Sequence, residues 1–224
     1  MSENNCWLYN NCNHIDCNRF CLRKFKLSKM YDAALIPEKL RSRISLRYDY
    51  DGTDRDKFIT LKSFTDNIED FVKNGNNLYL HSTRCGNGKT SWALRMIQEY
   101  LERIWPKSPL EPARALFVSV PMYFIALKKN ITEKNEYVQH INNNVLSADI
   151  VVWDDIGTKG LTEFEHEHIL SLINSRVNEG KTNIYTSNLS EEELHRTVGD
   201  RLYSRIVNSS IIIELNGLDK RGIK

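Results

Sequence analysis

The chain has 224 residues, 41% of them apolar and 27% charged, and a formal net charge of +2. That is an ordinary globular composition, enough for one good-sized core or one core plus a small appendage. The near-neutral balance removes any global electrostatic case for nucleic acid, so such a site must be a local patch. No run approaches eighteen consecutive apolar residues, and the opening "MSENNCWLYN" lacks the basic-then-apolar order of a secretory signal. A cytoplasmic location is expected, where disulfides are disfavoured.

Four of the five cysteines, Cys6, Cys12, Cys17 and Cys21, fall within the first 21 residues, spaced C-x5-C-x4-C-x3-C with His14 between. Four thiolates can close a tetrahedral zinc site, and so short a segment cannot build a core without a staple. The other reading is four free cysteines in a loose tail. The spacing predicts a zinc-binding head over 1–37. The run "RFCLRKFKLSK" carries Arg19, Arg23, Lys24, Lys26 and Lys29 with Phe20 and Phe25 interleaved. It suits nucleic acid or an acidic partner, or equally the solvated face of a short helix. Helical pieces broken at Pro37 follow, then the turn "DYDGTD", which places a linker over 38–53 and the main domain over 54–224.

"FITLKSFTDNIEDFVKNG" has apolar residues at helical spacing and stops at "NGNN". "NLYLHS" is a short strand, "STRCGNGKTS" a loop, and "TSWALRMIQEYLERIW" an amphipathic helix. Strand, glycine loop and helix in that order are the context of a phosphate-binding loop. Its N–H groups and the positive helix end would wrap phosphates, which assigns Cys85, Gly86, Asn87, Gly88, Lys89, Thr90 and Ser91 to nucleotide binding. Lys89 would reach the β and γ phosphates, and the Thr90 hydroxyl would ligate Mg²⁺. One position departs from G-x-x-x-x-G-K-[ST]: Thr83 stands where the first glycine belongs. A non-glycine residue fits there if its backbone angles are ordinary.

"ALFVSV" and "ADIVVWDDIG" read as buried strands, the second ending in Asp154 and Asp155. A parallel sheet places such acids at the carboxyl end of a central strand, beside the ligand crevice. Asp154 would hold Mg²⁺, largely through water, and Asp155 would polarise the attacking water. "KTNIYTSNLS" is a further strand ending near Asn188, whose amide is placed to orient that water or sense the γ-phosphate. Ser190 and Glu193 form a capping box that starts a helix, and "SIIIEL" is the last strand. Strand and helix alternate, so the fold class is α/β with a parallel sheet.

With "GNGKTSWAL", "ADIVVWDDIG", "NIYTSN", "GDRLYSRI" and "LNGLDKRG" in order, the chain from about Tyr48 resembles the AAA+ ATPases. More narrowly it resembles the DnaC/DnaI-type replicative helicase loaders, especially phage-encoded ones. The resemblance implies a P-loop three-layer sandwich without a C-terminal helical lid, behind a small head that grips the helicase. It makes Lys89 and Thr90 the Walker A pair, Asp154 and Asp155 the Walker B pair, and Asn188 sensor 1. Arg205, supported by Arg201, matches the arginine finger that completes a neighbouring subunit's ATP site. It implies ATP and Mg²⁺ as cofactors beside the zinc, and as partners the replicative helicase, single-stranded DNA and further copies of the chain. In the helical stretch after "ALFVSV", Tyr123 and Phe124 suit the core, and Lys128 and Lys129 are the candidates for DNA phosphates.

Overall fold

The computed structural model describes residues 6–8, 12, 20–42, 44, 46, 53–158 and 160–219. Five strands, β1 (Asn77–His81), β2 (Ala115–Ser119), β3 (Ile150–Asp154), β4 (Thr182–Ser187) and β5 (Ser210–Glu214), form one sheet in the order β2-β3-β4-β1-β5. Every pairing is parallel. Residues in β1, β3 and β4 are buried throughout, as strands covered on both faces must be.

The two-residue side-chain period sorts each strand between two layers. Leu78, Leu80, Phe117, Ile150, Val152 and Ile184 face α1 (Leu22–Ala33), α2 (Arg55–Asp66), α3 (Ile68–Lys73) and α4 (Lys89–Ile104). Tyr79, Leu116, Val118, Val151, Trp153 and Tyr185 face α5 (Val120–Lys129), α6 (Glu136–Asn144), α7 (Glu163–Asn178) and α8 (Glu191–Ile206). The result is the three-layer sandwich of AAA+ P-loop proteins. After β5 the described chain runs to residue 219 with no further helix. Among the described residues no helix is long and apolar enough to cross a membrane.

Several details differ from the pattern read off the sequence. The stretch expected as one helix before β1 is two, because Asn67 breaks it. Its N–H and its side-chain amide both donate to Ser63 O, at 3.1 and 2.9 Å, so the side chain competes with the next helical turn. Helix α1 buries Leu27, Met30 and Tyr31 in the same cluster as α4 and the sheet. The chain after it lies along the free edge of β2, where Phe117 N donates to Ala34 O at 2.8 Å. Helix α7 went unread, although Thr162 and Glu165 form a full capping box. Its Arg176 is completely buried and binds Asn183 Oδ1 at 2.7 Å and Ala148 O at 2.8 Å, so it ties the α6–β3 turn to β4.

Candidate nucleotide-binding site

The carboxyl ends of β1, β3 and β4 meet at one rim of the sheet. β1 leads into the loop, and α4 begins at Lys89. Gly86 and Gly88 have φ of +76° and +103°, which only glycine adopts without strain. Thr83 is not left-handed, so the missing first glycine costs the loop nothing there. Polar side chains brace the loop from inside. Ser82 Oγ accepts from Arg84 N at 3.0 Å and from Asn87 Nδ2 at 2.6 Å. Lys89 Nζ donates to Arg84 O at 3.0 Å and Asn87 Oδ1 at 3.2 Å.

Asp154 sits at the end of β3, only 7% exposed. One of its oxygens accepts from Thr90 Oγ1 at 2.8 Å and from Thr186 Oγ1 at 2.7 Å. Burial pushes its pKa up, the Thr186 hydrogen bond opposes that, and the neighbouring charge of Asp155 adds to it. Asp155 has φ +58°, which turns its side chain out of the strand, and its N–H is held by Thr186 Oγ1 at 3.0 Å. Asn188 Nδ2 donates to Asp155 Oδ1 at 3.0 Å. Residues 85–91, Asp155 and Asn188 line one cavity of about 220 Å³, with Cys85 Sγ 4.0 Å from Asn188 Oδ1. Thr186 was missed by sequence reasoning. A hydroxyl one strand across from the acids was the available signal.

The residues fit the groups expected there. A hydroxyl and a carboxylate oxygen 2.8 Å apart are hard donors suited to Mg²⁺ with water. The glycine loop at the start of a sixteen-residue helix suits phosphates. Zinc is different. Among the described residues no three His, Cys, Asp or Glu side chains come together, and Cys6, Cys12 and Cys21 carry free thiols. Cys21 caps α1, its Sγ 3.5 Å from Lys24 N. Cys17 and His14 lie outside the described residues.

Arg201 and Arg205 are exposed on α8 and line a separate cleft of about 630 Å³ with Glu167, Asn174 and Asp200 of α7 and α8. Neither lines the loop cavity of its own chain. A break at Gly199, φ +74°, divides α8 just before them. Tyr123 and Phe124 are buried, so they do not stack on bases. Lys128 and Lys129 are both exposed, with Lys128 Nζ 3.4 Å from the buried Glu165 carboxylate.

A phosphate loop after β1, next to the edge strand of a β2-β3-β4-β1-β5 parallel sheet, with paired acids at the carboxyl end of β3, defines a P-loop ATP-binding protein of the AAA+ class. The family follows from the sequence as a whole: residues 22–221 match the model described as "IstB-like ATP binding protein", and the chain belongs to that family. Among solved structures it resembles the DnaC helicase loader at 19% identity and TM-score 0.64, covering 80% of this chain and 100% of that one. It resembles DnaI at 24% identity and TM-score 0.59, covering 83% and 94%. A putative primosome component from Streptococcus pyogenes serotype M3 aligns at 19% identity and TM-score 0.62, covering 87% and 98%. These likenesses are of fold. No curated protein matches the chain.

Proposed function

We propose that the protein is an ATPase that loads a replicative helicase onto single-stranded DNA. The observation that carries the ATPase part is the convergence of Lys89, Thr90, Asp154, Asp155 and Asn188 on one rim. Lys89 and the loop N–H groups neutralise the phosphates. Thr90 and Asp154 hold Mg²⁺, directly or through water. Asp155, oriented by Asn188, aligns and polarises the attacking water. Bound ATP supplies the transferable phosphoryl group and an energy of binding that differs before and after hydrolysis.

Among the described residues no arginine lines the cavity, and Arg205 stands exposed in a separate cleft. This supports a composite site in which Arg205 of one copy completes the site of the next, so that turnover waits on assembly. The fold shared with DnaC and DnaI supports helicase as the partner, with residues 1–37 as the gripping head, 38–53 as the linker and 54–224 as the ATPase domain. Lys128 and Lys129, both exposed, remain the candidates for a DNA phosphate. No step runs through zinc.

The family match favours one other reading, an ATPase that assists a transposase. Co-purification decides between them. With ATP and Mg²⁺ present, the loader reading expects a hexameric helicase to be retained and a transposase not. Retention of the transposase alone overturns it. Wild-type protein that binds ATP but never hydrolyses it, even with DNA and helicase, overturns the mechanism.

A further inference from the structure

The segment leaving β5 runs back along the phosphate loop. Leu215 N donates to His81 O at 2.9 Å, and Leu215 O accepts from Asn87 Nδ2 at 2.7 Å. Asn216 O accepts from Arg84 Nη1 at 3.2 Å. The N–H groups of Asn216 and Gly217 both donate to Asp54 Oδ2, at 2.8 and 2.7 Å. Asp54 precedes α2 with φ +64°, its side chain 7% exposed, and its other oxygen lies 3.0 Å from Lys57 Nζ. Two residues beyond Gly217, the Asp219 carboxylate lies against Gly86. A Cβ built on Gly86 would fall 1.8 Å from Asp219 Oδ1. The space that a side chain at 86 would need is filled by a carboxylate, in contact with the loop that has to receive phosphates.

We propose that residues 215–219 form a strap, anchored by Asp54, whose Asp219 carboxylate lowers the affinity of the loop for polyphosphate. The proposal rests on the nucleotide reading of that loop and goes beyond it. The loop and the start of α4 attract anions through aligned N–H groups. A negative charge fixed beside them repels an incoming polyphosphate, more strongly as the number of phosphates rises. Two acids thus have distinct parts. Asp54 positions the strap, and Asp219 supplies the charge. Because Arg84 and Asn87 bond to the same strap, its position is tied to that of the loop.

The test is calorimetric titration of the full chain and its Asp219→Asn variant with ATP, ADP and AMP, at low and high ionic strength. Asparagine keeps the shape and removes the charge. The expected result is ATP binding about five- to tenfold tighter in the variant, a smaller gain for ADP and none for AMP. The gain shrinks at high salt, because a partly exposed charge is screened. In an Asp54→Ala background, with folding checked by thermal unfolding, the gain from Asp219→Asn falls below about twofold, as expected of coupled residues. Unchanged or weaker ATP binding in Asp219→Asn overturns the strap, as does an equal gain for AMP. If neither form binds nucleotide, the phosphate-loop reading itself fails and the strap with it. Loss of wild-type binding in Lys89→Ala separates the two failures.

Discussion

Strand β3 has a carboxylate at each end of its run, and their surroundings differ. At the amino end Asp149 borders an open cleft of about 600 Å³. It accepts from Tyr100 OH at 2.7 Å and Arg114 Nε at 2.6 Å, with Lys181 Nζ at 4.0 Å. At the carboxyl end Asp154 is buried behind a cavity about a third as large, which Thr90 and Asp155 line, and the neighbours bonded to it are hydroxyls. Volume alone would choose the wrong end. The amino-end acid is neutralised by cations of its own fold, so it is a tie-point. The carboxyl-end acid is desolvated and held by groups without charge, an environment that favours a divalent cation.

The largest expected effect tests the carboxyl end in trans. Arg205→Ala lowers ATP turnover about a thousandfold or more while ATP affinity stays within a few-fold. Turnover is restored when this variant is mixed with Asp155→Asn chains, whose own Arg205 is intact, and steady-state hydrolysis of the mixture checks this. Next, Asp155→Asn alone binds ATP and cuts single-turnover hydrolysis about 100- to 10,000-fold without loss of thermal stability. At the other end Asp149→Ala strands the Tyr100 and Arg114 donors. It costs about 1–3 kcal/mol, a drop of roughly 2–4 °C in melting temperature per kcal/mol for a chain this long, with ATP affinity unchanged. Loss of ATP binding in a stably folded Asp149→Ala protein would break the contrast.

The smallest effect sharpens it. Burial raises the folded-state pKa of Asp154 above its unfolded value, so its ionised form opposes folding. That penalty is absent at low pH and grows as pH rises through the raised value. Asp154→Asn therefore raises the melting temperature of the nucleotide-free protein at neutral pH, by less than Asp149→Ala lowers it, and the difference vanishes in acid. Melting curves across pH check the sign. The same substitution weakens Mg²⁺-dependent ATP binding.

The sheet and its rim were legible because short-range rules govern them. Buried parallel strands leave continuous apolar runs, and a phosphate loop needs glycine and lysine within a few residues. Asp154, Asp155 and Asn188 were readable for the same reason, each standing at the end of such a run. What escaped depends on distant contacts or on weak local signals. Thr186 matters because β4 lies beside β3. Asp54 matters because a segment 162 residues later returns to it. The periodicity of α7 is blurred by "EFEHEH", which left the Thr162–Glu165 box as its clearest mark. The Asn67 break turns on one amide competing with a helical turn, and composition gives no warning of it.

The placing of β1 has a consequence for synthesis. Both of its partners, β4 and β5, come from residues 182–214, so the strand that feeds the phosphate loop has no hydrogen-bonded neighbour until the last fifth of the chain is made. Closing contacts over so long a separation is slow. A ribosome-bound chain stalled before residue 182 should hold its glycine loop as unstructured polypeptide, and acquire a nucleotide pocket only once residues 182–214 have emerged.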